Sequence, residues 1–407
     1  MKALNGFQLV GIKLAAVVAC LLLFQAGFAV AEGEQETEGG AVYVMNNEAT
    51  GNLIVKLHRT KDGILSRVGE YPTGGLGSGP GPLPVIFGGP GPGPLPLESQ
   101  DSLISTKDGR FLLAVNARSN DISVLAVTRE GLRVTDRASS GGIFPVSIAQ
   151  HNGLVYVVNI GGIPELSSSP GIPTMTGFFL SEHGKLHAIS GSTQVIGSFG
   201  SSPADVVFSP DGHYLVIAER VTNLLDVYPV KEDGLLGEKV VSLSNNLDPF
   251  GMAFTRNGVL VVTEGVDAAP RIPSPNASST SSYRILDDGT LQTISGAVPT
   301  HQTAACWVRF SKDQKLAYVV NSGSNSISTY SISPRGELTL LIEVAGETGG
   351  PFSAAIDEAV TPDGKYLYVD SPLIGSLRGF RIDKDGSLTP ITKVDGFPVS
   401  FSGMVAF

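Results

Sequence analysis

Residues 204–219 read ADVVFSPDGHYLVIAE. A short apolar run, a Ser-Pro-Asp-Gly turn and a second β-branched run make a tight antiparallel hairpin. The same pattern returns in residues 356–370 (IDEAVTPDGKYLYVD), 307–321 (WVRFSKDQKLAYVVN), 251–264 (GMAFTRNGVLVVTE), 102–116 (SLISTKDGRFLLAVN) and 146–159 (VSIAQHNGLVYVVN). Aligned on Asp205, the units are anchored at Ser102, Val146, Asp205, Gly251, Trp307 and Asp357, at spacings of 44, 59, 46, 56 and 50 residues. That is the period of a propeller blade. A seventh unit is split. Residues 403–407 (GMVAF) match a first strand and stop, and residues 41–46 (AVYVMN) match a second strand. The reading is all-β: a single seven-bladed β-propeller over residues 41–407, with the C-terminal strand completing the N-terminal blade and removing the free sheet edges.

Composition agrees. Of 407 residues, 50 are Gly and 26 Pro, while 16% are charged. Two Cys exclude a disulfide framework. The normal apolar fraction excludes a polar disordered chain. Residues 1–31 read as a signal peptide. Lys2 and Lys13 supply positive charge, residues 14–24 an apolar core too short to span a bilayer, and Ala29-Val30-Ala31 a cleavage site. A polar linker, 32–40, follows. The expected product is secreted or periplasmic. Removing the leader takes the net charge from −10 to about −12, which argues against nucleic acid or an anionic membrane as partner. A monomer is expected, with a small-molecule, protein or glycan ligand.

After each second strand comes a turn and a third strand, as in residues 318–332 (YVVNSGSNSISTYSI). A second turn follows, carrying Asp62, Asp233, Asp287, Asp288 or Asp385 beside a Gly, and leads to an outer strand. These Asp read as turn formers that bond their own backbone. The YVVNSGSNSIS stretch resembles the YVTN-type propeller repeat. The SPDG and KDG turns, with outer strands opening G-x-L, resemble the propeller lactonase family, which includes 6-phosphogluconolactonases and carboxymuconate cyclases. That resemblance implies a lactonase or cycloisomerase working without a cofactor. The turns after the second strands (NARSND, ERVTN, NSGSNS, DSPLIGS) depart from the family's Asp-Leu-Gly-x-Asp, so it assigns no catalytic residue here.

Strand alternation puts the first-to-second and third-to-fourth turns on one face, and the remaining turns and blade links on the other. Three insertions, 72–97, 160–176 and 265–282, fall on the second face, which is therefore read as the functional rim. Second strands end there near the axis, at Asn46, Asn116, Asn159, Glu219, Glu264, Asn321 and Asp370. Glu219, Glu264 and the loop residue His301 are the candidate acid/base groups, because grouped carboxylates can have raised pKa values. Arg220 is the candidate clamp for a substrate carboxylate, with the Asn residues and Asp370 as further contacts. Arg309 and Glu358 interrupt apolar positions of adjacent inner strands, are expected to pair, and are counted with the candidate substrate contacts. No His cluster has metal-ligand spacing, so no metal is expected. The alternative reading is a non-catalytic propeller binding a protein or glycan through the insertion face.

Overall fold

The computed structural model describes residues 39–80, 97–162, 171–268, 272–351 and 353–407. The stretch read as a leader, residues 1–31, lies outside them, as do the middles of all three insertions. Residues Gly39–Phe407 form one compact unit. Among the described residues it contains seven antiparallel blade sheets, each ordered from an inner to an outer strand, a two-stranded ribbon of Asp267–Ala268 with Ile272–Pro273 in the third insertion, and no α-helix. Blade 1 takes its inner strand from Met404–Ala406, which pairs Val42 with Ala406 and Val44 with Met404. The ring closure read from the split repeat is therefore what forms. Arg59 tightens it, its guanidinium donating to the Phe407 carbonyl at 3.1 and 3.3 Å. Blade 3 has its outer strand broken into Leu186–Ala188 and Gln194–Val195.

The turns explain why the hairpins form where they do. A Ser or Thr hydroxyl bonds an Asp or Asn two residues on: Thr106 to Asp108, Ser209 to Asp211, Thr255 to Asn257, Ser311 to Asp313, Thr361 to Asp363, at 2.5–2.8 Å. A Gly at positive φ then turns the chain, as at Gly212 (φ 76°). In blade 6 Gln314 takes that place (φ 58°). The second set of Asp turns behaves as expected: Asp233, Asp288 and Asp385 each accept a backbone N–H two residues on.

Second strands are buried over most of their length, and throughout in Phe111–Asn116 and Val259–Glu264, because both faces lie between neighbouring blades. Outer strands alternate between burial and exposure. The third strand of blade 5 begins earlier than the sequence suggests, at Ser279, so that insertion is shorter. The second strand of blade 7 runs to Ser371, so Ser371 and not Asp370 holds the terminal position equivalent to Glu219.

Candidate functional site in the central channel

The inner strands do not pair with one another, so their inward N–H groups need partners from elsewhere. Two come from the aligned Asp positions. Asp205 accepts from Met252 N at 2.8 Å, and Asp357 accepts from Met404 N at 2.9 Å, each reaching the next blade. A third comes from the short link that follows the first insertion. Gln100 accepts from Val308 N (3.0 Å) and donates to Asp205 (3.1 Å) and to the Met252 carbonyl (2.5 Å), while its own N–H bonds Ala204 O. Ser99 bonds Val146 O and receives the Trp307 indole N–H at 3.0 Å. Asp101 O receives Ile148 N. A three-residue segment tied to the inner strands of blades 3, 4, 5 and 6 must lie across the ring axis. It occupies the half of the channel nearer the insertions.

The expected acid/base and clamp residues are consumed around this plug. Arg220 holds Glu98 at 2.6 Å and Asp248 at 2.7 and 3.2 Å, above the Phe250 ring. It anchors the start of the plug. Glu264 is buried and receives the hydroxyls of Ser279, Ser281 (2.6 Å) and Ser244 (3.0 Å). Burial raises its pKa and those hydroxyls pull it back. Glu219 is buried, raised by desolvation and bonded by Thr222 at 2.6 Å. His301 is an exposed loop residue. Asn46 closes a turn onto Leu53 N, Asn116 joins Asn52, Thr73, Asp121 and Ser123, Asn159 bonds Ser140 O, and Asn321 bonds Ser326 and Ser328. Asp370 accepts from Ile356 N. These side chains build the rim and are not drawn into one cavity by these contacts.

Beyond the plug the channel opens to the opposite face as a cavity of about 390 Å³. Its walls are Ile104, Ile148, Val206, Met252 and Phe254, and it also meets His151, Arg256, Asp101 and Arg309. Arg309 donates to Asp101 at 2.6 Å and lies 4.0 Å from Asp357. Burial works against its charge, and Asp101, Asp357, Asp205 and Glu358 hold the cation in place. Arg309 thus takes Asp101 as its hydrogen-bonded partner. Glu358, the expected one, acts on it only through space. Asp101 is not legible from sequence because it lies in the link between the first insertion and the inner strand of blade 2, outside every repeat. Asp205 and Asp357 stand in the sequence as alignment anchors, and an acidic anchor at two of six units is the available signal.

Glu358 is fully buried with neither carboxylate oxygen hydrogen-bonded; the Arg309 backbone N–H faces it without reaching bonding geometry. Burial pushes its pKa well above 4.5, Arg309 lowers it and Asp357 raises it. Burial likewise pushes Asp357 up to about 7, and Asp205 and Asp370 well above 3.8. A raised folded-state pKa means that the fold keeps a proton the unfolded chain releases. Stability is then full below the unfolded pKa and falls as pH rises, by up to about 1.4 kcal/mol per pH unit for each such group. Glu358→Gln removes one of these slopes. Its stability relative to wild type is expected to improve from pH 5 to pH 8 in urea denaturation. Parallel pH profiles would show that Glu358 is ionised in the fold.

The family model described as "Lactonase, 7-bladed beta-propeller" matches residues 283–397. The chain is 25% identical over 262 residues to the 6-phosphogluconolactonase of Pectobacterium atrosepticum, covering 62% of this chain and 70% of that one. It is 27% identical over 209 residues to the enzyme of Pectobacterium carotovorum, covering 48% and 58%. Among solved structures, the periplasmic gluconolactonase of Pseudomonas aeruginosa superposes with a TM-score of 0.64 at 16% identity, over 90% of this chain and 99% of that one. A protein from Lactobacillus plantarum gives 0.68 at 16%, with the same coverage. In sequence over its last blades, and in fold over nine tenths of its length, the chain resembles the lactonase family of seven-bladed β-propellers.

Proposed function

We propose that the protein is an exported lactonase that opens the ring of a small sugar-acid lactone in the central cavity, without a cofactor. The observation that carries this reading is the Arg309–Asp101 pair at a cavity lined mainly by apolar side chains. A guanidinium has five N–H donors, and those of Arg309 not used on Asp101 and the Val308 carbonyl are available to the lactone carbonyl oxygen as charge develops on it. The second carboxylate oxygen of Asp101 accepts a proton from the attacking water. The new C–O bond forms at the carbonyl carbon, the ring C–O bond breaks, and the departing alkoxide takes the proton back, giving the hydroxy acid. The leader read over residues 1–31 supports export, and the similarity to 6-phosphogluconolactonases supports the lactone class.

The test is turnover by the purified full-length chain on a panel of five- and six-membered aldonolactones and a muconolactone. Hydrolysis above the buffer rate is expected, falling at least about 100-fold in Asp101→Asn, assayed below the variant's own melting temperature, which loss of the Arg309 pair lowers. No turnover on any member would overturn the reading.

A second reading, a binding propeller without chemistry, is favoured by exposed apolar side chains on the insertion face. Phe199, Val221 and Leu247 are 62%, 54% and 46% exposed. They lie in neighbouring loops of blades 4 and 5, joined by the Val221 N to Ser201 O bond and the Asp248 N to Asn223 bond.

A further inference from the structure

A second space opens beside the central cavity. It is a groove of about 490 Å³ between blades 4 and 5, lined by Asp211, Tyr214, Phe254, Arg256, Asn257 and Arg284 among others. Ser209, Pro210, Phe254 and Arg256 line both spaces, so the groove runs into the cavity.

Its charge is unusual for this molecule. The chain has 38 acids against 28 Lys and Arg, and most of its well-placed arginines are paired: Arg59 with Asp363, Arg137 with Asp121, Arg220 with Asp248, Arg309 with Asp101, Arg381 with Asp383. Arg256 and Arg284 have no carboxylate within 4.0 Å among the described residues. Both are instead positioned by backbone carbonyls. Arg256 donates to Lys312 O at 3.1 Å, and Arg284 donates to Asn257 O at 3.1 Å, next to Arg256 in the same turn. Asp211, the acid on the groove wall, is turned onto Ser209 and the His213 N–H. The Arg256 guanidinium is tied to the blade 6 turn and that of Arg284 to the blade 5 turn; both line the groove, and each keeps free N–H donors for an oxyanion. Tyr214 and Phe254 supply flat apolar walls beside it.

We infer that this groove is an anion subsite: Arg256 and Arg284 hold a carboxylate or phosphoryl group of a ligand whose ring reaches the central cavity. This rests on the proposed lactonase reading for the ring's identity. It does not rest on it for the binding of the anion. The proposal places recognition on the face opposite the insertions.

Direct binding is measured first, by calorimetry on the full-length chain with three probes: gluconate (carboxylate), glucose 6-phosphate (phosphoryl group) and glucose (no anion). The expected result is binding of at least one anionic probe, weakened at least 10-fold in Arg256→Gln/Arg284→Gln and also by raised salt, with glucose binding at least 10-fold more weakly. Which anionic probe binds tells carboxylate from phosphoryl recognition. An exposed arginine elsewhere, Arg381→Gln, is the control and leaves affinity unchanged. Equal binding of all three probes, no binding of either anion, or insensitivity to the double variant overturns the inference. On any lactone that is turned over, an anionic substituent should lower KM, and the double variant should raise that KM with kcat little changed. If no lactone is turned over, the lactonase reading fails while the calorimetry still decides the groove.

Discussion

Arg309→Met is expected to destabilise the protein by about 3–5 kcal/mol at pH 7, the usual loss when one partner of a buried charge pair is removed. The lower end applies, because its side chain is 22% exposed. Without the guanidinium, Asp357 and Glu358 lose the cation that lowers their pKa, and Asp357, already pushed up to about 7 by burial, rises further. The remedy is protonation. The loss should therefore shrink as pH falls from 7 to 5, since a neutral carboxyl needs no cation beside it. Chemical denaturation at the two pH values reads both effects. A loss below about 1 kcal/mol, the level of an exposed pair, or one independent of pH, would show that the cluster does not depend on this cation. Arg309→Lys separates charge from shape. It keeps the cation but not the planar fork, so it should recover much of the stability while binding a lactone carbonyl less well.

Trp307→Ala is expected to cost about 3–5 kcal/mol, the range for deleting a large buried aromatic. Trp307 is the sole tryptophan, 1% exposed, with its ring 4.7 Å from that of Phe250. Its indole N–H also holds the Ser99 carbonyl in the plug. Trp307→Phe fills much of the space but cannot make that bond. It should cost less overall while loosening residues 99–101 selectively, visible as faster amide exchange of Gln100 than of the inner strands around it. Equal exchange in Trp307→Phe and wild type would show that the plug is held without the indole.

The architecture was legible because the repeat speaks in turn chemistry. Asp211-Gly212 and Asp363-Gly364 each punctuate two apolar runs, and the split between residues 41–46 and 403–407 gives both the blade count and the closure. The location of the cavity was not legible. Three insertions on one face made that face look functional, yet the link that follows the first one fills the axis there through Gln100. Periodicity cannot report this, since residues 99–101 belong to no repeat and their partners lie up to 208 positions away. Strand-end residues such as Asn116 and Glu264 looked like a polar funnel. Their hydroxyl and amide partners, Ser123 and Thr73 or Ser279 and Ser281, lie on the neighbouring strands and in the link to the next blade, a relation that becomes visible only with the register. Arg309 stands out in the sequence as a charge in an innermost strand, but its hydrogen-bonded partner is Asp101, and Asp357, one position before the expected Glu358, lies 4.0 Å from it.

The plug also changes what kind of folding unit this is. Repeat arrays whose units touch only their neighbours fold as near-independent modules, and can lose one end while keeping the other. Here a segment made between the first and second blades is bonded to four later ones, as far as Trp307. Those bonds can form only after their long loops have closed, which slows assembly. Once formed, they tie early and late blades into one cooperative block. Partial unfolding from any of these blades must break contacts on the axis, so the ring should melt as a whole and not blade by blade.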